Sequence, residues 1–208
     1  MTDGHRRPAV SEQENLPRRD QIMAAAKKVF ARSGFQATTI ADVAKEAQLP
    51  FDAVYQYFDS KDALFHALIA AEEYALRTHV AVALAQSGAQ FGYAEAPFRA
   101  TLRATFEFFE VDRATTKLLF RDAYQRDKRF DKRLGGIYER FIDDIETLVV
   151  AAQKRGDVVA APPRLVAFTL MVLIGQVAQR RLTTDDGVTA VEAADFIVSL
   201  VIKGLRPD

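Results

Sequence analysis

The chain has 208 residues, of which 49% are hydrophobic and none is cysteine. That length fits one large domain, or a small domain joined to a larger one, and the lack of cysteine excludes disulfides and thiolate metal sites. The 28 basic and 28 acidic residues cancel, so net charge gives no support to nucleic-acid binding. The N-terminal segment has no apolar stretch typical of a signal peptide, and the apolar run 165–178 is shorter than the ~20 residues of a membrane span. We expect a soluble, cytoplasmic protein.

Residues 1–16 combine few apolar side chains with mixed charge, which predicts a disordered tail. From there, apolar residues recur with the spacing of amphipathic helices. A first helix is expected to end near Gly34, because glycine favours helix termination. A second helix begins at Thr39, where Asp42 three residues later completes a capping-box pattern.

Pro50 suits the first turn of a short third helix over about 51–57, since its missing N–H costs nothing there. Ser60 then caps a long fourth helix that continues to about residue 86. Later helices are predicted over 97–112, 114–125, 130–155, 163–182 and 189–205. No period-2 alternation competes with these patterns, so the fold is predicted to be all-α.

Two short helices joined by a three- to four-residue turn, over residues 40–57, form a helix-turn-helix pattern, in which the second helix enters a DNA major groove. Periodicity turns Val54 and Phe58 inward. It leaves an outward face of mixed aromatic and polar residues, with Tyr57 on the flank: Phe51, Asp52, Tyr55 and Gln56. Tyrosine hydroxyls and Lys61 suit contacts with DNA phosphates. The alternative is that these aromatics are ordinary bundle core.

The same stretch resembles the DNA-binding domain of the TetR family of ligand-responsive transcriptional repressors. The resemblance covers about residues 18–65 and is carried by Ile22, Ala26, Phe30, Gly34, Thr38, Thr39, Ile40, Val43, Ala44, Ala47, Tyr55, Tyr57, Phe58, Ser60, Lys61 and Leu64. It implies DNA contacts from Thr38, Thr39, Phe51, Asp52, Ala53, Tyr55, Gln56, Tyr57 and Lys61. Two departures concern base contact: Gln48-Leu49-Pro50 replaces a frequent Gly-Val-Ser, and Asp52 replaces a common glycine.

These observations predict an organisation into a tail and two domains. After the tail, residues 17–62 form a three-helix helix-turn-helix DNA-binding domain, and residues 63–208 form a larger helical ligand-binding and dimerisation domain. The boundary lies where short helices give way to long ones.

The last two helices suggest a homodimer. From Leu165 to Ala178 apolar residues lie on all sides of a helix, which must then be buried all round. The final helix carries a coiled-coil-like 3-4 spacing, and two such helices per chain suit a two-fold four-helix interface. The predicted interface residues are Val172, Gly175, Val191, Ala194, Val198, Val201 and Leu205. The alternative is that both helices cap their own domain.

The middle helices are rich in aromatic residues, which either pack a core or line an apolar pocket with a few orienting polar groups. The resemblance implies an inducer pocket among them. The predicted lining residues are Thr101, Thr105, Phe106, Phe109, Phe120, Tyr124, Tyr138, Phe141, Met171 and Gln176. A flat aromatic or a fatty chain fits this composition better than a sugar or phosphate.

Enzyme and metal chemistry find no support in the sequence. The three histidines, His5, His66 and His79, lack metal-ligand spacing, and no nucleophile elbow, phosphate loop or dinucleotide fingerprint occurs. We therefore expect no cofactor and no catalytic residues. The expected function is a repressor that a hydrophobic small molecule releases from a palindromic double-stranded DNA operator. The alternative is a helical small-molecule-binding protein without DNA binding.

Overall fold

The computed structural model describes residues 12–87, 95–120, 128–184 and 187–205. Within these ranges the chain forms only helices, as predicted, and no strand. Their bounds are α1 Glu12–Ala37, α2 Ile40–Glu46, α3 Phe51–Tyr55, α4 Lys61–Gln86, α5 Glu95–Val111, α6 Arg113–Phe120, α7 Lys128–Arg155, α8 Pro163–Thr183 and α9 Ala190–Leu205.

The first helix begins earlier than the sequence predicts. Residues 1–11 of the predicted disordered tail lie outside the described residues, but α1 starts at Glu12. The run Glu-Gln-Glu-Asn-Leu contains good helix formers and no glycine, so it extends the helix despite its low hydrophobicity. A prediction of disorder based on composition alone missed this.

A sharp break interrupts α1 where its end was predicted. Gly34 has φ 80° and ψ 165°, a conformation that side chains with a Cβ rarely adopt. Only one short helical turn follows before Thr38. Glycine at this position therefore lets the chain leave α1 and turn towards α2.

The chain divides into two compact units, residues 1–68 and 69–208, called here the N-terminal unit and the C-terminal unit. The division falls inside α4, a few residues after the boundary at 62 that the sequence suggests. The N-terminal unit is centred on three phenylalanines: the ring centres of Phe30 and Phe65 are 5.1 Å apart, and those of Phe35 and Phe65 are 4.9 Å apart. This aromatic cluster holds α1 against the first turns of α4.

In the C-terminal unit, α5 packs against α9, and α8 packs against both α6 and α7. Its fully buried side chains include Leu102, Phe106, Leu118 and Ile197. Arginine–carboxylate pairs tie the helix rims together. Asp195 of α9, for example, accepts hydrogen bonds from Arg99 and Arg103 of α5, at 2.8 and 2.9 Å.

Helix α8 is long and apolar, close to the bounds 163–182 that the sequence predicts. Among the described helices it alone passes a length and composition test for a membrane span, with a mean hydropathy of 1.3. A core helix of a soluble protein passes the same test. Because α8 packs against α6 and α7 and carries Arg180 and Arg181 in its last turn, we treat it as a packed helix of the C-terminal unit.

Candidate DNA-binding surface, ligand cavity and subunit interface

The start of α2 is held by the predicted capping box. The side chain of Asp42 accepts hydrogen bonds from the backbone N–H of Thr39 at 2.9 Å and from its hydroxyl at 2.7 Å. In return, the Thr39 hydroxyl accepts from the Asp42 N–H at 3.2 Å. These hydrogen bonds from Thr39 hold the pKa of the Asp42 carboxyl below its ordinary value. The N-terminus of α2 therefore has a defined position, as the sequence predicts.

The turn between α2 and α3 is a Schellman motif built around a residue other than glycine. Leu49 N–H donates to the Ala44 carbonyl at 2.9 Å, and Gln48 N–H donates to the Lys45 carbonyl at 3.1 Å. Gln48 occupies the left-handed region with φ 56°. This is the position where the family resemblance led us to expect glycine, so the turn keeps its geometry at a cost in backbone strain.

Helix α3 has the inward and outward faces that periodicity predicts. Val54 and Phe58 are buried, whereas Phe51 is 49% exposed and Tyr55 is 37% exposed. The rings of Phe51 and Tyr55 meet edge to face with centroids 5.2 Å apart. Asp52 and Gln56 are exposed as well, and Ala53 is half-buried. One face of α3 thus presents an aromatic pair flanked by hydrogen-bonding side chains.

Two predicted phosphate contacts have their polar groups buried in the structure. Thr38 is only 1% exposed, and its hydroxyl donates to the Gly34 carbonyl at 2.7 Å. The Tyr57 hydroxyl oxygen is buried and has no hydrogen-bond partner. A side-chain contact from Thr38 to DNA is therefore wrong for this conformation, and Tyr57 has to turn outward to reach a phosphate.

Lys61 also differs from the sequence expectation. Its ammonium donates to the backbone carbonyls of Phe35 at 2.8 Å, Thr38 at 2.9 Å and Gln36 at 3.4 Å. The same group lies 4.4 Å from the centre of the Phe35 ring. The ammonium group of Lys61 is therefore bound within the N-terminal unit, and in this arrangement it is not placed to contact a phosphate as predicted.

A cavity of about 480 Å³ opens in the C-terminal unit among α5, α6, α8 and the segment that leads into α9. Phe106 and Phe109 form part of its wall, as predicted, and Arg113 and Arg181 lie near them. Among the described residues, the cavity is lined by Phe106, Phe109, Glu110, Arg113, Ala178, Arg181, Leu182, Thr184, Gly187, Val188 and Thr189. Arg181 donates to Glu110 and to the Val188 carbonyl, so the cavity wall is more polar than the sequence suggests.

The other predicted pocket residues that the structure describes do not line this cavity. The Phe120 ring packs on Phe109 at 5.2 Å, and the Phe141 ring lies under the Arg77 guanidinium at 4.9 Å. The Thr105 hydroxyl donates to the Thr101 carbonyl, and the Tyr138 hydroxyl donates to the Leu119 carbonyl. Met171 is half-buried, and Gln176 is exposed. Tyr124 lies outside the described residues.

The missed members of the cavity wall share a recognisable origin. They are charged residues near helix ends, where the sequence alone predicts exposure to solvent: Glu110, Arg113 and Arg181. No periodic signal distinguishes them. Their meeting depends on how α5 and α6 pack against α8 and on the turn that follows α8.

The predicted dimer interface is partly occupied by the chain's own packing. Ala194 and Val198 are completely buried inside one protomer, where α9 packs on α5, and Gly175 is buried against the Phe120 ring. Val191 and Val172 remain exposed, and Val201 and Leu205 are half-buried. Ala194, Val198 and Gly175 are therefore wrong as contacts with a second copy.

Helices α8 and α9 each carry exposed apolar side chains. Phe196 is 68% exposed on α9, opposite the stripe that contacts α5. These exposed side chains are Leu165, Phe168 and Val172 on α8 and Phe196 and Leu200 on α9. The 3-4 spacing correctly identified an apolar stripe of α9, but that stripe packs within the chain.

The capping box, the short turn and the outward face of α3 define a helix-turn-helix protein with a second, larger helical unit. Residues 22–68 match the family described as "Bacterial regulatory proteins, tetR family". A TetR-like transcriptional regulator from Rhodococcus sp. RHA1 superposes with a TM-score of 0.71 at 27% identity, over 90% of this chain and 94% of that one. Residues 22–68 therefore match the helix-turn-helix DNA-binding domain of the TetR family.

Two curated relatives match over short stretches of the chain, and a third matches over nearly all of it. YfiR of Bacillus subtilis, an uncharacterized transcriptional regulator, is 39% identical over 62 residues, which are 30% of each chain. HbdR of Aromatoleum sp. is 47% identical over 45 residues, 22% of this chain and 20% of that one. The chain thus spans less than a third of the length of either relative. The transcriptional activator FasR of Mycolicibacterium smegmatis is 25% identical over 97% of this chain and 91% of its own.

The whole fold has further counterparts among solved structures. The regulator FadR from Bacillus subtilis, solved in complex with stearoyl-CoA, superposes with a TM-score of 0.77 over 90% of this chain and 99% of that one. At 15% identity this likeness concerns the fold alone. Among the residues that the structure describes, no group of three or more metal-ligating side chains occurs.

Proposed function

We propose that this protein is a cytoplasmic transcriptional regulator that binds a near-palindromic DNA operator as a homodimer and releases it when a hydrophobic small molecule binds. The observation that carries the proposal is the outward face of α3, where Phe51 and Tyr55 are exposed beside Asp52 and Gln56. Small domains rarely expose paired aromatics without a partner. In a helix-turn-helix domain this face is the one that meets base edges.

DNA recognition from this surface combines two kinds of contact. Phe51 offers apolar contact to thymine methyl groups, whereas Asp52 and Gln56 suit the amino and acceptor groups of base edges. The backbone N–H groups at the start of α2, beside Thr39, favour a phosphate. The Asp42 side chain and the Thr39 hydroxyl are already hydrogen-bonded there, so we expect backbone N–H groups of α2 to contact the phosphate.

A homodimer would cover the exposed apolar side chains of α8 and α9. Phe168 on α8, Phe196 on α9 and three aliphatic side chains are exposed there, and such side chains favour burial against a partner. A second copy of the chain supplies an identical patch, as a two-fold interface requires. Two equivalent α3 helices then read two half-sites, which is why we expect a near-palindrome.

Ligand control is supported by the aromatic interior of the C-terminal unit and by its cavity. Phe106 and Phe109 give the cavity an apolar wall, which suits a flat aromatic or a fatty chain. FadR, of similar fold, binds an acyl-CoA thioester. Helix α4 runs without interruption from Lys61 to Gln86, through both units of the chain. A ligand that displaces α4 would change the spacing of the recognition helices, with a coupling of typically 1–3 kcal/mol.

The test of DNA binding is a gel shift with the DNA upstream of the protein's own gene. Wild type should retard that DNA in the presence of excess unrelated duplex, and the double variant Phe51→Ala with Tyr55→Ala should not. Tyr74→Ala is the control, because Tyr74 is an exposed aromatic of the C-terminal unit, 73% exposed against 49% for Phe51. Equal retardation of unrelated DNA would favour the alternative, a small-molecule-binding protein without operator recognition.

Ligand control needs a second measurement on the same complex. Stearoyl-CoA, a free long-chain fatty acid and a flat aromatic carboxylate should be titrated separately. A true inducer raises the melting temperature and releases DNA over the same concentration range. A compound that stabilises the protein while leaving DNA affinity unchanged contradicts coupling for that compound, and tighter DNA binding would make the protein a ligand-activated binder.

A further inference from the structure

Lys61 is the first residue of α4, yet its charged end belongs to the segment that joins α1 to α2. Its three donors meet three backbone carbonyls, those of Phe35, Gln36 and Thr38, within 3.4 Å. An ammonium group has three N–H donors and no acceptor, so these contacts use its full capacity. The Phe35 ring adds a cation–π contact at 4.4 Å.

The carbonyls concerned are those that a helix end leaves without partners. The last four carbonyls of a helix have no intrahelical donor, and α1 ends at Ala37. The Thr38 hydroxyl donates a hydrogen bond to the Gly34 carbonyl, and the Lys61 ammonium donates to the carbonyls of Phe35 and Gln36. A cation at a helix C-terminus is also favoured by the helix dipole. Lys61 therefore completes the C-terminal end of α1 from a helix that follows more than 20 residues later.

This arrangement reaches the surface that meets DNA. Thr38, whose carbonyl binds Lys61 at 2.9 Å, directly precedes Thr39, the N-cap of α2. The position of Thr39 sets where α2 begins, and α2 leads through the Gln48 turn into α3. A shift of the α1–α2 corner therefore moves the α2 N-terminus and the start of α3 together.

We infer that Lys61 is a positioning residue for DNA binding: its ammonium locks the α1–α2 corner to the first turn of α4 and does not contact a phosphate. A phosphate contact would require Lys61 to give up three short-range carbonyl contacts. The inference rests on the proposed DNA binding. It adds a specific role for the start of α4, because a displacement of that end carries the corner with it.

Three variants of the full-length protein separate the roles, measured on an operator selected by wild type from randomised duplexes. Lys61→Met keeps the aliphatic stem and removes the donors. Lys61→Arg keeps the charge, but its planar guanidinium does not direct three donors at three converging carbonyls. Lys45→Met removes an exposed lysine from α2 and reports the general effect of losing one charge. Affinity is measured between roughly 50 and 200 mM salt, the range over which counterion release is evident.

For a positioning role, both Lys61 variants lose affinity severalfold at every salt concentration, and the slope of log affinity against log salt stays at the wild-type value. Arginine does not restore binding. A phosphate contact gives a different result: Lys61→Arg binds like wild type, and Lys61→Met reduces the slope by about 0.9. That result overturns the inference.

Thermal unfolding on the same samples addresses a purely structural role. Both variants should melt lower than wild type, and circular dichroism must show them folded at the temperature of the binding measurement. A lower melting temperature with wild-type affinity overturns positioning. If Lys61→Met does not fold, Lys61→Gln, whose amide keeps two donors, replaces it. Failure of wild type to select any operator rejects the proposed function itself, and is distinguishable from every outcome above.

Discussion

The two units of the chain use polar groups in different ways. In the N-terminal unit the main side-chain hydrogen bonds are made with backbone atoms. The Thr38 hydroxyl donates to the Gly34 carbonyl, and the Lys61 ammonium donates to three carbonyls. The side chains of Thr39 and Asp42 each accept from the other's backbone N–H. In the C-terminal unit several polar contacts join charged side chains of different helices, although others, such as that of Arg181 with the Val188 carbonyl, also end on the backbone. There Glu73 of α4 accepts from Arg140 of α7 at 2.6 Å.

The difference matches what each unit has to do. Contacts with the backbone fix the path of the chain, which a surface that presents α3 to DNA requires. Contacts between side chains tie helices at their rims and can be exchanged for others when the helices move. Arg164, for example, binds Asp143 at 2.9 Å and Glu146 at 2.8 Å on one face of α7. We expect the C-terminal unit to respond more strongly to pH and salt than the N-terminal unit.

The largest expected effect separates the two faces of α9. Val198→Glu places a charge at a site that is 0% exposed, and an uncompensated buried charge costs about 3–5 kcal/mol. Phe196→Glu changes an exposed residue two positions away and should leave the protomer folded while it dissociates the dimer. Denaturant titration and sedimentation velocity of both variants check this. Equal loss of protomer stability would mean that the two faces are not distinct.

Next in size is the ion pair that ties α4 to α7. Glu73 is buried and is bound by Arg140 and by Arg77 at 3.2 Å. Glu73→Gln should lower the free energy of unfolding by about 1.5–3 kcal/mol, as for hydrogen bonds to charged groups. Glu95→Gln is the control, because the partly exposed pair between Glu95 and Arg99 is worth about 0–1 kcal/mol. Similar urea midpoints for both variants would contradict the contrast between the sites.

The same carboxylate predicts how stability depends on pH. The hydrogen bond from Arg140 holds the pKa of Glu73 below its ordinary 4.5, and Arg103 lowers that of Asp195 likewise. A lowered folded-state pKa stabilises the protein above the unfolded-state pKa, and this contribution disappears as pH falls through the folded value. Wild type should therefore lose stability below about pH 4.5 more steeply than Glu73→Gln. Parallel curves of melting temperature against pH would show that Glu73 makes no such contribution.

A smaller change in stability is expected in the N-terminal unit, where it comes from the strained backbone of Gln48 and not from a charged group. Gln48→Gly should raise stability by about 1 kcal/mol, because glycine adopts the left-handed conformation without a Cβ clash. Gln56→Gly is the matched control: Gln56 has φ −69°, so glycine should destabilise the protein there by up to about 1 kcal/mol. Thermal unfolding distinguishes them, and destabilisation by both would mean that Gln48 is not strained.

The smallest expected effect concerns Asp52, the exposed acidic residue in the first turn of α3. If it reads a cytosine amino group, Asp52→Asn should shift preference at one symmetric pair of operator positions, because asparagine suits adenine. If it only supports the helix start, affinity should rise uniformly as repulsion from phosphates is removed. Selection from randomised operators with both proteins decides. Identical preferences with tighter binding would exclude base reading.

Local patterns were sufficient to predict the helical fold, the Thr39–Asp42 capping box and the two faces of α3. Each depends on residues within a few positions of one another, so periodicity and capping chemistry determine it. The exposed face of α3 was predictable for the same reason: Val54 and Phe58 anchor α3 on one side and leave Phe51 and Tyr55 on the other.

Only the tertiary structure decided what each apolar or charged residue meets. Periodicity identifies a stripe of α9 but not whether α5 or a second copy covers it, which is why Val198 was assigned to the wrong interface. Lys61 reads as a free surface cation because its carbonyl partners lie 23 to 26 residues earlier. The wall of the cavity likewise joins the ends of α5 and α8, at Glu110 and Arg181. Such long-range pairings depend on how helices pack, and no local spacing in the chain encodes them.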